Sequence, residues 1–199
     1  MKKLMFLGFL LIASIGIHAQ GYKVGDIASD FQLKNVDGKM ISLADYKDAN
    51  GFVVIFTCNH CPYAIAYEDR IIAIDKKYKS KGYPVIAINP NDPTLVPDDS
   101  FENMKKRAME KHFSFPYLFD AKQEVFKKYG ATRTPHVYIL NKKDGKLIVE
   151  YIGTIDDNYK DASLVNKKYV EDAIDALIQH KKPNINYTKA IGCSIKSKG

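Results

Sequence analysis

An α/β domain, built on a central mixed β-sheet with helices on both faces, is the fold class that this sequence predicts. Three observations carry it. Phe52–Phe56 is a short apolar, β-branched run; apolar positions at helical spacing follow it, and then a second apolar run, Val85–Ile88. Strand, helix, strand in that order makes a parallel pair joined by a crossover. Further on, Val137–Leu140 and Lys146–Ile152 are separated only by the short polar stretch Asn141–Gly145, which makes them an antiparallel hairpin. With 199 residues, 46% hydrophobic and 27% charged, the chain can bury one ordinary core and reads as globular.

The elements follow in order. Phe31–Leu33 and Met40–Leu43 flank Asn35-Val36-Asp37-Gly38, whose Asp-Gly pair supports an N-terminal β-hairpin ahead of the main sheet. The first long helix runs from Pro62 to about Ser80, with Ala64, Tyr67, Ile71, Ile74 and Tyr78 on its buried face and Lys81-Gly82 closing it. Asn89–Pro97 is a Pro/Asn/Asp loop. Asp99 with Glu102 fits a capping box that starts a helix to about Lys111. Pro116–Phe119 suggests a short strand. Asp120 then caps a helix that stops at Gly130. Val170, Ala173, Ile174, Leu177 and Ile178 mark a final helix, and residues 181–199 form a polar, basic tail.

Residues 1–19 have the layout of a signal peptide: Lys2 and Lys3, the apolar run Leu4–Ile15, and a cut after Ala19. The run is short for a bilayer span, and stable membrane insertion after its removal is not expected. Residues 22–180 form the domain proper, in a periplasmic or secreted location. The formal charge is +7; losing Lys2 and Lys3 with the leader lowers it by two, to +5. The remaining lysines are dispersed, without the block of basic residues that a nucleic-acid partner would call for.

Three cysteines follow the leader: Cys58, Cys61 and Cys193. That is too few for a disulfide-stapled scaffold. Cys58-Asn59-His60-Cys61 sits where a strand hands over to a helix. There the helix dipole and free backbone N–H groups stabilise thiolate over thiol. A second thiol one turn on can close a disulfide with the first, which is the layout for reversible two-electron exchange. A static structural disulfide is the alternative reading of the pair. No Gly-rich phosphate loop or nucleotide fingerprint is present, so no cofactor and no resident metal is expected.

These residues, together with Thr134-Pro135 just before strand Val137–Leu140, make residues 22–180 resemble the thioredoxin superfamily. The β lead-in and the insertion around residues 90–112 resemble its peroxiredoxin-like branch, the redoxin or AhpC/TSA type. More narrowly, Phe56–Tyr63 and Ile191–Lys196 resemble an uncharacterised bacterial thioredoxin-fold family. The resemblance implies a thioredoxin-like fold, a cis proline at Pro135 facing the redox pair, and protein thiols and disulfides as partners. It also has departures. Peroxiredoxins carry Pro-x-x-x-Thr-x-x-Cys around the peroxidatic thiol, and the matching positions here are Gly51 and Ile55. Thr57 replaces the tryptophan that thioredoxin places before its first cysteine.

The reading is therefore an exported thiol–disulfide oxidoreductase. Cys58, expected to be exposed at the junction, attacks; Cys61, expected to be buried, resolves. His60, if protonated, stabilises the Cys58 thiolate, or else sits uncoupled on the first turn. Asn59 helps to cap the helix. Pro135 and Thr134 offer backbone groups to an extended substrate, while His136 packs in the hairpin or faces solvent. Cys193 either resolves Cys58, lies near the site as a third redox thiol, bridges to another chain, or is incidental. Two other functions stay open: a thiol peroxidase with antioxidant activity, and a copper-binding module using Cys58, Cys61 and His60 or His136.

Overall fold

The computed structural model describes residues 21–198. The expected leader lies outside them. The strands and helices are β1 Ile27–Ala28, β2 Gln32–Asn35, β3 Met40–Ser42, β4 Gly51–Phe56, α1 Pro62–Tyr78, β5 Val85–Asn89, α2 Phe101–Glu110, β6 Tyr117–Phe119, α3 Val125–Tyr129, β7 Arg133–Thr134, β8 His136–Lys143, β9 Lys146–Gly153, α4 Tyr169–Ile178 and β10 Cys193–Ser194. Eight strands form one mixed sheet in the order β1-β9-β8-β4-β5-β6-β2-β3, and β10 pairs separately with β7. β4 runs parallel to β5 and antiparallel to β8. The α/β mixed-sheet expectation is met, and the N-terminal hairpin joins the sheet edge through β2 and β6.

Every residue of β4 and β5 is buried, because helices cover both faces of the sheet centre. Val53 and Ile55 pack with Tyr67, Ile71 and Ile74 of α1, Met104 of α2 and Val170 and Ile174 of α4. Phe52, Val54 and Phe56 pack on the opposite face with Phe126 and Tyr129 of α3. This alternation is the period-2 geometry of a strand buried on both sides. α1 is locked to α2 by a bidentate Arg107–Glu68 pair, with Glu68 nearly fully buried. Such a fork is the strong geometry for an ion pair.

Three sequence expectations change in detail. Ser100, rather than Asp99, caps α2, accepting the Asn103 N–H, while Asp99 is fully buried. The cap of α3 is Glu124; Asp120 sits just upstream and accepts the N–H groups of Glu124 and Phe126. The β8–β9 hairpin turns on Asp144-Gly145 alone, both at positive φ, so its strands are longer than the apolar runs. Two residues with φ > 0 are what the tightest hairpin turn requires.

The segment after residue 180 folds back onto the domain. Ile152 bridges Tyr187, and Tyr151 hydrogen-bonds Thr188. The chain then reaches β7, on the side of the redox motif.

Candidate active site

The end of β4 and the start of α1 hold the Cys58–Cys61 segment. The Thr57 N–H extends the ladder to the Ile88 carbonyl, and Thr57 is buried. Cys61 is the N-cap residue of α1 and Pro62 its first helical position, where the missing N–H costs nothing. Asn59 does not cap the helix as expected. Its N–H donates to Asp99 Oδ1 at 2.7 Å, its amide donates to the Asp98 carbonyl at 2.8 Å, and it accepts the Tyr117 hydroxyl at 3.0 Å. The intervening loop is thereby tied to the segment before α2 and to β6.

Asp99 is the site residue that sequence reasoning missed. It is fully buried, and its carboxylate accepts from Asn59 N–H, from Asn91 Nδ2 at 2.7 Å and from His60 Nδ1 at 2.6 Å. A carboxylate against Nδ1 fixes the proton on that nitrogen and orients the ring. A ring nitrogen of His60, the Cys58 sulfur and an Asp99 oxygen lie within 4.8 Å of one another. His60 is thus coupled to the site through Asp99. The sequence signal was the polar cluster Asn89, Asn91 and Asp92 at the end of a fully buried strand, with Asp99 further along the same loop.

From the other side comes β7. The Thr134–Pro135 peptide is cis, as the resemblance implies. The Thr134 hydroxyl lies 3.2 Å from Cys58 Sγ, and the Cys61 thiol points at the Thr134 carbonyl, also at 3.2 Å. His136 is engaged elsewhere. It is buried against Tyr138 and accepts the Thr132 N–H on Nδ1.

Cys58 is only 3% exposed and Cys61 is fully buried, which corrects the expectation of an exposed Cys58. Cys193, on β10, packs over the pair. Its sulfur lies 2.6 Å from Cys61 Sγ. The position of Cys193 beside Cys61, not Cys58, narrows the roles left open for it. The charge follows this arrangement. The Cys61 hydrogen bond, burial and the Asp99 carboxylate all push the Cys58 thiol up. Hydrogen bonds from the Cys58 and Cys193 thiols pull Cys61 down despite its burial.

His136 gives the domain a defined pH response. Burial lowers it from 6.5 to about 4, so between those values the unfolded chain binds a proton that the folded chain excludes. Its contribution to stability is complete above pH 6.5 and is lost as pH falls towards 4. Denaturant unfolding at pH 7 and pH 5 should differ by about 2 kcal/mol from this group. The His136→Gln variant should lose that difference; an unchanged pH dependence would disprove the assignment.

A thioredoxin-type redoxin is the class this fold and site define. The AhpC/TSA family model matches residues 24–151, and the chain belongs to that family. The thiol-disulfide oxidoreductase ResA of Geobacillus thermodenitrificans is 26% identical over 151 residues, covering 75% of this chain and 80% of that one. Among solved structures, an uncharacterized conserved protein of Geobacillus kaustophilus superposes with a TM-score of 0.81 at 38% identity, covering 88% of this chain and 93% of that one. A hypothetical protein of Sinorhizobium meliloti superposes with a TM-score of 0.82 at 29% identity, over 90% and 97% of the two chains.

Proposed function

We propose that this protein is an exported thiol–disulfide oxidoreductase whose working pair is Cys58 and Cys61. The observation that carries the reading is the convergence of both thiols on Thr134, beside a cis proline, at the start of a helix. The similarity to ResA proteins supports the same class of reaction. The apolar leader-like segment of the sequence supports export.

In the reductive direction, the Cys58 thiolate attacks one sulfur of a substrate disulfide. The S–S bond breaks, and the departing substrate thiolate takes up a proton. Cys61 then attacks Cys58 Sγ, closing the Cys58–Cys61 disulfide and releasing the second substrate thiol. Two electrons pass from the pair to the substrate; the reverse sequence oxidises a dithiol. Asp99 positions His60 beside Cys58, where an imidazole can exchange a proton with the sulfur. Thr134 offers its hydroxyl to Cys58 as a hydrogen-bond partner for the thiolate.

Thiol peroxidase activity is the competing reading, favoured by the family. The chemistry around Cys58 argues against it. Ile55, at the threonine position of peroxiredoxins, is buried in the core, and a Cβ at Gly51 would meet the Leu140 carbonyl oxygen at 2.2 Å. A proline at position 51 is excluded by packing, and position 55 carries no hydroxyl to position peroxide. A copper-binding reading has the Cys58, His60 and Asp99 donors. Both Asp99 oxygens, however, are already engaged by protein donors.

One experiment separates the first two readings. The Cys61→Ser/Cys193→Ser protein is mixed with a disulfide-bonded peptide and, separately, with hydrogen peroxide. A stable mixed disulfide at Cys58, with peroxide consumed no faster than by free cysteine, is the expected result. Rapid peroxide consumption without a trapped peptide would replace exchange by peroxidase chemistry.

A further inference from the structure

β10 lies where an extended substrate would pair with this site. Cys193 stands opposite Thr134, the residue before the cis proline, in antiparallel register. Strand addition of this kind is a general mode of peptide recognition. Here the added strand belongs to the chain itself.

It is held on both sides. The Arg133 guanidinium donates to the Gly192 carbonyl at 2.9 Å, and the Ile195 N–H donates to the Thr132 carbonyl at 3.2 Å. The Lys196 N–H donates to Asn91 Oδ1 at 2.8 Å. The Lys196 carbonyl accepts the Asp92 N–H at 2.9 Å and the Gln123 amide at 3.0 Å. Asn91 and Gln123 are buried, so the domain keeps internal polar groups that the tail satisfies. Gly192 passes so close to β7 that a Cβ would come within 2.1 Å of the Thr134 carbonyl oxygen. The two sulfurs, at 2.6 Å, are inside van der Waals contact and about half an ångström beyond a disulfide bond. The Cys193 N–H also points at Cys61 Sγ, at 3.4 Å.

We propose that Cys193 is a third redox thiol that forms a disulfide with Cys61, making the C-terminal strand a built-in exchange partner of the pair. This rests on the reading of Cys58 and Cys61 as the working pair. Starting from the Cys58–Cys61 disulfide, the Cys193 thiolate attacks Cys61 Sγ. The Cys61–Cys193 bond forms, the Cys58–Cys61 bond breaks, and Cys58 leaves as a thiolate that takes up the proton given up by Cys193. The oxidation level of the protein is unchanged, so no outside oxidant or reductant enters. The step moves the disulfide from two buried sulfurs to one that includes the half-buried Cys193, where a dithiol partner can reach it. It also returns Cys58 to the thiol form.

The test is peptide mapping by mass spectrometry of the full chain after equilibration in glutathione buffers, acid quenching and alkylation. Wild type should give both Cys58–Cys61 and Cys61–Cys193 linked peptides. Cys58→Ser should give Cys61–Cys193 alone, and Cys193→Ser should give Cys58–Cys61 alone. Gly192→Ala leaves all three thiols in place but removes the close approach of the strand. It should lower the Cys61–Cys193 share about tenfold as the effective concentration of the docked thiol is lost. If wild type shows only Cys58–Cys61, and Cys58→Ser shows only glutathione adducts on Cys61 and Cys193, the relay is overturned while the working pair stands. If neither linkage forms in any variant, the working pair falls with it.

Discussion

Cys58→Ser is expected to reduce the rate of disulfide exchange with a peptide substrate to background, a loss on the order of a thousandfold or more. A serine hydroxyl is not ionised at neutral pH and cannot displace a thiolate from a disulfide. The fold should be unaffected, because the hydroxyl fills nearly the same buried space and can keep the contact with the Thr134 hydroxyl. Denaturant unfolding of the variant therefore serves as the control. The Cys61–Cys193 linkage survives in this variant under the relay, so the protein remains oxidisable while losing exchange at Cys58. Exchange at the wild-type rate would mean that Cys61 or Cys193 meets the substrate first.

Asp99→Ala is the second large effect. It removes the acceptor for three groups at once: the Asn59 N–H, the His60 ring and the buried Asn91 amide. Buried donors left without partners each cost of order 1–3 kcal/mol, so a loss of about 3 kcal/mol in unfolding free energy is expected. Asp99→Asn retains the size and one acceptor oxygen and should cost roughly half as much. That milder variant also distinguishes positioning from mere support. The Asp99 charge pushes the Cys58 thiol up, so neutralising it should move the pH profile of Cys58 alkylation to lower pH. A profile that does not move would make Asp99 only a structural anchor of the loop.

Much of this was readable from residue order. The run Phe52–Phe56, the helix beginning at Pro62 and the hairpin of Val137–Leu140 with Lys146–Ile152 are local patterns, and local pattern fixes strands and helices. Thr134-Pro135 was recognisable through the family resemblance, which places a cis proline just before that strand. The Asp99 role was hidden because Asp99-x-x-Glu102 also fits a helix cap, and Ser100 beside it does the capping. Its partners lie in two other segments, Asn59-His60 and Asn91, and nothing in their spacing announces that they meet. The tail was hidden for a different reason. Cys193–Ser194 forms a strand of two residues, too short for any periodicity. Its docking depends on groups some seventy to a hundred positions away, such as Gln123 and Asn91. Cys58, expected to be open at the junction, is buried beside Thr134 of β7, a residue 76 positions away that local pattern does not bring to it.

The most direct test of the central claim is a redox titration of the Cys193→Ser protein, with Cys58 and Cys61 quantified separately by alkylation across a glutathione series. The working-pair account predicts that both thiols disappear together, at one midpoint, as a two-electron couple, with the linked Cys58–Cys61 peptide rising in step. Thiols that titrate independently, or stay alkylatable throughout the series, would contradict it.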